Sequence, residues 1–256
     1  MRIVSWNVNS LKVRLPQVEQ WLADNPKTDV LAMQETKLTD DNFPADAFRA
    51  AGYEAVYSGQ KTYNGVAIIA KTPPRDIVAA IPGFDDPQRR LLAATVGDTR
   101  IINLYVVNGQ TVGSEKYGYK LEWLERVHDY IAAQLNQYEK LVVLGDFNIA
   151  PEDRDVHDPE LWQGKVLCSE PERAALRKML KLGLTDTFRL FEQVENCYSW
   201  WDYRAAGFRR NLGLRIDLIL ASEALAKCCK SAGIDRLPRT WERPSDHAPV
   251  WAEFEG

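Results

Sequence analysis

Short apolar runs recur along this chain, several of them continuous, and most of them stop at a polar residue. Ile3 to Trp6, Asp29 to Met33, Gly65 to Ala70, Leu91 to Val96, Arg100 to Val107, Leu141 to Leu144, Arg215 to Leu220 and Pro249 to Phe254 read as β-strands. An apolar-polar alternation would mark a strand with one wet face, whereas a continuous run marks a strand covered on both faces. Between the runs lie helical patterns. Leu15, Val18, Trp21 and Leu22 share one face of a helix over Leu15 to Ala23, and further helices fit Tyr119 to Leu135 and Arg173 to Leu182. Strands interleaved with helices predict α/β layers. There is no short repeat, no low-complexity tract and no long linker, so one domain is expected over residues 1–256, an ordinary size for a large α/β unit.

The polar residues at the run ends constrain the topology. Asn7, Glu35, Tyr105, Asp146 and Asn148 lie at or just past the C-terminal ends of early strands. Asp217 and the Asp246-His247 pair lie at the starts of late ones. Both groups reach one rim only if late strands run antiparallel to early ones. Mixed sheets are therefore expected, not an all-parallel barrel.

This set is rich in oxygen donors and holds one imidazole, in a chain with only 3 histidines. Hard oxygen donors suit Mg²⁺ or Mn²⁺; Zn²⁺ would call for more His or Cys. No GxSxG elbow, GxxxxGK[ST] loop or HExxH helix is present. Each residue also has an ordinary structural reading. An Asp or Asn after a strand is commonly a cap or turn former. A lone histidine can simply be a satisfied structural one, and a tyrosine can be core with a wet hydroxyl.

Composition narrows the setting. No apolar stretch approaches a membrane span, and the N-terminus MRIVSWNVNS lacks a long apolar core and a small-residue cleavage site. A cytoplasmic protein with no membrane partner is expected. Cys168, Cys197, Cys228 and Cys229 form no metal-like spacing and read as reduced thiols. The net charge of −4 speaks mildly against nucleic acid. Phosphate binding, however, needs local and not total positive charge.

"NVNSLKVRLPQV", "QETK", "GQKTYNGVAI", "DPQRR", "LGDFNIAP", "YSWWDYR", "GLRIDLILAS" and "PSDHAPVW" together resemble the exonuclease III family of DNA-repair nucleases and AP endonucleases, within the endonuclease/exonuclease/phosphatase superfamily. The likeness runs from residue 2 to the chain end, in the family's order. It implies a four-layer α/β sandwich with two packed mixed β-sheets flanked by helices. It implies metal-dependent cleavage of DNA phosphodiesters: 3′→5′ exonuclease action, incision at abasic sites and removal of 3′ blocking groups. Position by position, it implies a catalytic set of Tyr105, Asp146, Asn148, Asp217 and His247. Asp146 would orient or deprotonate water, Asn148 and His247 would hold phosphate, and Asp217 would partner His247. The implied metal surroundings are Asn7, Glu35, Asp146, Asn148, Asp246 and His247.

Basic residues interleaved with aromatics around this rim suggest how an acidic protein holds DNA. Arg90, Lys120, Arg204, Phe208, Arg209 and Arg210 are candidate contacts, and Trp200 and Leu214 match family positions that wall the pocket for the sugar. The expected partner is duplex DNA with abasic sites, nicks or recessed 3′ ends, met by a monomer. For any single basic residue, a solvated surface charge is the ordinary reading.

The sequence departs from the family in two places. Val107 stands where much of the family has a proline. Lys165 to Ser169, inside "APEDRDVHDPELWQGKVLCSEPER", is placed to occlude a pocket partly. Weak abasic incision with dominant 3′-end processing is the resulting expectation. The competing readings are a phosphoinositide phosphatase or sphingomyelinase-like enzyme of the same superfamily, and a non-catalytic DNA-binding relative. The aromatic-basic "WWDYR…FRR" loop favours DNA, and the filled metal and base positions favour catalysis.

Overall fold

The computed structural model describes residues 1–255. In chain order the strands are β1 (Arg2–Asn7), β2 (Val30–Gln34), β3 (Glu54–Ser58), β4 (Val66–Ala70), β5 (Arg75–Val78), β6 (Leu91–Val96), β7 (Thr99–Tyr105), β8 (Leu141–Asp146), β9 (Leu184–Asp186), β10 (Trp200–Trp201), β11 (Gly213–Leu214), β12 (Asp217–Ser222), β13 (Cys229–Ile234) and β14 (Val250–Phe254). The α-helices are α1 (Leu11–Asp24), α2 (Ala45–Ala50), α3 (Glu115–Leu135), α4 (Pro159–Trp162), α5 (Glu170–Leu180) and α6 (Glu223–Cys228).

The strands form two mixed six-stranded sheets, ordered β13-β14-β1-β2-β4-β3 and β5-β6-β7-β8-β12-β9, with β10-β11 as a small separate ribbon. β1 is parallel to β2 and antiparallel to β14. β8 is parallel to β7 and antiparallel to β12. The expected antiparallel return of the late strands is therefore present in both sheets.

The continuous apolar runs are explained by burial on both faces. Ile3, Val30, Ala32, Ile68, Val142, Leu144, Ile219 and Val250 fill the space between the sheets. On the outer face of the first sheet, Trp6, Leu31 and Met33 pack against Leu11, Val18 and Trp21 of α1. On the outer face of the second, Ile102, Val143 and Leu218 pack against Trp123, Val127 and Ile131 of α3 and Leu176 of α5. The result is a helix-sheet-sheet-helix sandwich. Truncating a fully buried leucine such as Leu144 to alanine would cost about 2–5 kcal/mol.

Polar groups also join the two sheets. Asn103 Nδ2 donates to the carbonyls of Met33 (3.0 Å) and Ala67 (2.9 Å), and Gln34 Nε2 donates to Asn103 Oδ1 at 2.8 Å. These buried bonds fix the relative height of the sheets directly beneath the rim.

The structure extends the expected helices at their starts, for local reasons. α1 begins at Leu11, whose side chain joins the core. α3 begins at Glu115, because the Ser114 hydroxyl accepts from the Tyr117 amide. α5 begins at Glu170 behind a capping box between Ser169 and Glu172. The strands absent from the sequence reading are mainly edge or short strands such as β3, β5 and β13, whose half-exposed residues make no continuous apolar run. All four cysteines are free thiols.

Candidate active site at the paired strand ends

Parallel and antiparallel pairing brings the expected residues to one rim. Asn7 ends β1, and Glu35 follows β2. Tyr105 and Asp146 are cross-strand neighbours at the ends of β7 and β8. Asp217, the first residue of β12, pairs across with Asp146. Gly145 makes this convergence possible. Its φ is 140°, and a Cβ there would overlap the Leu104 carbonyl oxygen, so only glycine lets β8 come this close to β7. Glu35 itself sits at φ 52° and Asn148 at φ 49°, the left-handed region that non-glycine residues rarely occupy. Such strain persists where surrounding structure imposes it, and it clusters at working sites.

The side chains form one network. Asn7 Nδ2 donates to Glu35 Oε1 at 3.0 Å and to Asp146 Oδ2 at 2.9 Å. The Asn148 amide N–H donates to Asp146 Oδ1 at 2.9 Å. His247 Nδ1 lies 2.9 Å from Asp217 Oδ2, while Nε2 lies 3.7 Å from Asp146 Oδ2. The Arg90 guanidinium sits over the Tyr105 ring, 4.6 Å from its centroid.

Electrostatics follow from burial and these partners. Burial alone would depress His247, but the Asp217 and Asp146 carboxylates outweigh it and raise the imidazole to about 10. Burial raises Asp146 to about 7, with His247 working against the rise and Asp217 adding to it. Burial also works against the Glu35 carboxylate. The Lys37 ammonium and the Asn7 amide outweigh it and hold Glu35 below the ordinary range. Tyr105 is pushed well up, by burial and by the Glu35 anion.

Glu35, Asp146 and His247 each present one ligand atom, all within 4.8 Å of one another. This is an acidic site with an imidazole beside it, and the donor set fits a divalent cation. The other residues of the expected metal set are engaged elsewhere. Asn7 turns its NH₂ group toward the carboxylates, and its Oδ1 accepts from the Asn9 amide. Asn148 Nδ2 donates to the Val106 carbonyl, and its Oδ1 accepts from Asn108. Both oxygens of Asp246 accept hydrogen bonds, from Asn9 and from Trp200.

Two of the expected DNA contacts, Lys120 and Leu214, are buried. Lys120 is completely buried. Its ammonium pairs with Glu172 and donates to the Asn108 and Asn148 carbonyls. α3 turns this residue inward, so it braces the rim from below. Leu214 is also fully buried, in a cluster with Leu167 and Cys168 against which Val166 and Trp200 pack. Phe208 is half-buried, edge-on to Trp201 at 5.0 Å, with Arg236 and Arg239 over its ring. Trp200 is half-exposed. Arg204 is exposed but paired with Asp202, while Arg209 and Arg210 are exposed. A cleft of about 650 Å³ opens nearby, lined by Gln60, Tyr63, Asn64, Arg90, Asn108 and Lys116.

Sequence reasoning missed the parts played by Lys37, Asn9 and Asn108. Lys37 Nζ lies 2.9 Å from Glu35 Oε2 and donates to Asn9 Oδ1 at 2.6 Å. The signal was present in "QETK", where a cation follows the metal-site glutamate by two positions.

Comparison with known proteins agrees with this geometry. Residues 4–247 match the model of the Endonuclease/Exonuclease/phosphatase family. The chain belongs to that family. It is 35% identical to the exodeoxyribonuclease III of Haemophilus influenzae, over 100% of both chains, which sets it in the exonuclease III group of DNA-repair nucleases. Among solved structures it is similar to the 3′ phosphatase NExo from Neisseria bound to a product DNA hairpin, with 50% identity, a TM-score of 0.98 and 100% of both chains covered. It is also similar to an AP endonuclease from Archaeoglobus fulgidus, with 40% identity, a TM-score of 0.95 and 100% of both chains covered. The full-length kinship with DNA-repair nucleases favours the nuclease over the lipid-phosphatase and non-catalytic readings. Among the described residues, no helix is long and apolar enough to cross a membrane.

Proposed function

We propose that this protein is a Mg²⁺- or Mn²⁺-dependent nuclease that works chiefly at the 3′ ends of duplex DNA, trimming nucleotides or removing blocking groups, and incises internal abasic sites slowly. Its catalytic unit is a single domain over residues 1–256, acting as a monomer in the cytoplasm. The observation that carries the reading is the convergence of Glu35, Asp146 and His247 at one rim.

Glu35 and Asp146 are the residues that would hold the cation. Bound there, it would neutralise phosphate charge and favour hydroxide formation. Asp146 orients and deprotonates the attacking water. The Asn7 amide, shared between Glu35 and Asp146, holds the carboxylates apart and aimed. Asp217 keeps the His247 ring charged and fixes its orientation, so the free Nε2–H points at the phosphate as a donor. Asp217 takes the Nδ1 side and leaves Nε2 facing the rim, so we assign His247 to phosphate. Tyr105, its phenol held protonated and braced by Arg90, donates toward the leaving oxygen.

The preference for 3′ ends rests on the segment Lys165 to Ser169. The Ala150 amide donates to the Leu167 carbonyl at 2.8 Å, and Glu172 accepts from the Leu167 and Ser169 amides at 3.0 Å each. The segment is thus pinned beside the rim, and its Leu167 and Cys168 share a buried cluster with Leu214, against which Val166 and Trp200 pack. That leaves little room for an extruded sugar with DNA on both sides. A strand end needs less. The likeness to a 3′ phosphatase at 50% identity supports the same choice.

The test is cleavage of a duplex with a recessed 3′ end. Wild type should be silent in EDTA and recover with Mg²⁺ or Mn²⁺, and Glu35→Ala should stay silent at ordinary cation concentrations. Cleavage in EDTA, or turnover of small phosphodiesters with none of DNA, would overturn the reading.

A further inference from the structure

Asp246 is an expected metal residue that lies outside the Glu35, Asp146 and His247 group. Its Oδ2 accepts from the Trp200 indole N–H at 3.0 Å, and its Oδ1 accepts from Asn9 Nδ2 at 3.0 Å. Asn9 is itself held: its backbone N–H donates to Asn7 Oδ1 at 3.0 Å, and its Oδ1 accepts from Lys37 at 2.6 Å. Lys37 closes the chain on Glu35. Polar contacts therefore run without a break from Glu35 through Lys37, Asn9 and Asp246 to Trp200. The backbone adds a second tie. The Trp201 amide donates to the Asp246 carbonyl at 3.1 Å, and the Ala248 amide donates to the Ser199 carbonyl at 2.8 Å. Trp200 and His247 form an isolated antiparallel bridge between these bonds.

We propose that Asp246 is a positioning residue that sets the Trp200 indole as a fixed wall for the terminal nucleotide, and is not a ligand of the cation. An ionised acceptor makes both of its hydrogen bonds charge-assisted and directional. A half-exposed indole without that partner regains other rotamers. A wall that moves weakens capture of the strand end, and leaves the water, Asp146 and His247 as they were. Asn9, held in turn by Lys37, keeps the carboxylate in its orientation toward Trp200.

The DNA part of this inference rests on the nuclease reading; the cation and fluorescence parts do not. Asp246→Ala, Asp246→Asn, Trp200→Phe and the Asp246→Ala/Trp200→Phe double variant would be compared with wild type, with thermal melts confirming that each is folded. Mn²⁺ binding to the metal-free proteins without DNA should be within about twofold of wild type for Asp246→Ala. On a recessed 3′-end duplex, Asp246→Ala should raise KM about tenfold with kcat little changed, equivalent to about 1.4 kcal/mol. In the Trp200→Phe background the same change should add almost nothing, because the hydrogen bond between the two side chains is already absent. Asp246→Asn keeps one oxygen for the indole but loses the charge and sets its NH₂ against the Asn9 Nδ2 donor, so it should restore the KM only in part. The Trp200 emission, taken as the difference from Trp200→Phe, should shift in Asp246→Ala and shift less in Asp246→Asn. A tenfold loss of Mn²⁺ affinity, a fall in kcat at unchanged KM, or additive effects of the two changes would overturn the proposal. Absence of turnover in wild type would instead indict the nuclease reading, and the Mn²⁺ and emission results would still decide the role of Asp246.

Discussion

Asp146 and Asp217 face each other as the first cross-strand pair of β12 and β8, and one imidazole, His247, sits against both. Asp217 takes the Nδ1 side at hydrogen-bond distance, and Asp146 faces Nε2 across 3.7 Å. Two buried carboxylates and one cationic ring thus divide their work by geometry. One carboxylate fixes the ring, and the other is held by the Asn7 and Asn148 amides.

Asp146→Asn should lower cleavage by about 10²–10⁴-fold, the range for removal of a positioned base, while DNA binding survives. The side chains are nearly isosteric, and the bond from the Asn148 amide can persist. Single-turnover cleavage beside anisotropy binding separates the two effects. Equal loss of both would remove Asp146 from the chemistry.

Asp217 controls the charge of His247, and the sign of its pH effect can be worked out. The folded imidazole titrates near 10 against an ordinary value of 6.5. A raised base stabilises the fold fully below pH 6.5, and that contribution is lost as pH rises through about 10. In Asp217→Asn the carboxylate is gone, so the loss should begin at lower pH. NMR titration of the His247 ring in metal-free protein, with melting temperatures measured at each pH, checks this. An unchanged titration in the variant would contradict it.

Gly145→Ala should destabilise the fold by at least about 1–3 kcal/mol and reduce activity together. The added methyl meets the Leu104 carbonyl at a φ of 140°, so β7 and β8 must part where Tyr105 and Asp146 face each other. Denaturant unfolding gives the stability. A variant with wild-type stability and activity would show that the close approach is not required.

Lys120 and the exposed arginines should behave in opposite ways. Lys120→Met leaves Glu172 buried without its cation, which should cost about 3–5 kcal/mol of stability. The salt dependence of DNA binding should not change. Arg209→Ala and Arg210→Ala should change stability by less than about 0.5 kcal/mol. Each should flatten the plot of log binding constant against log salt, by about 0.9 for every phosphate that the variant no longer neutralises. A flattened slope in Lys120→Met would return that residue to the DNA surface.

Much of this site was legible because its residues stand at strand ends. Asn7, Glu35, Tyr105 and Asp146 stand at or just past the ends of apolar runs, Asp217 opens a late one, and the late position of His247 forces an antiparallel return. What sequence could not give was direction. Lys120 and Leu214 read as DNA contacts among charged and aromatic neighbours, yet α3 turns one inward and the other is buried in a cluster with Leu167 and Cys168. Asp246 stands next to His247 in sequence but turns toward Trp200. Asn103 lay inside an expected strand and Gln34 just past one, and the two prove to bond between the sheets. Each depends on contacts between segments far apart in the chain.

The most direct measurement uses one preparation on two duplexes in Mg²⁺, one with an internal abasic site and one with a recessed 3′ end, each repeated in EDTA. Faster release at the 3′ end than incision at the abasic site, with both lost in EDTA, is the expected result. Abasic incision that outpaces 3′ release would contradict the assignment of Lys165 to Ser169 as the segment that closes the pocket around Trp200 and Leu214.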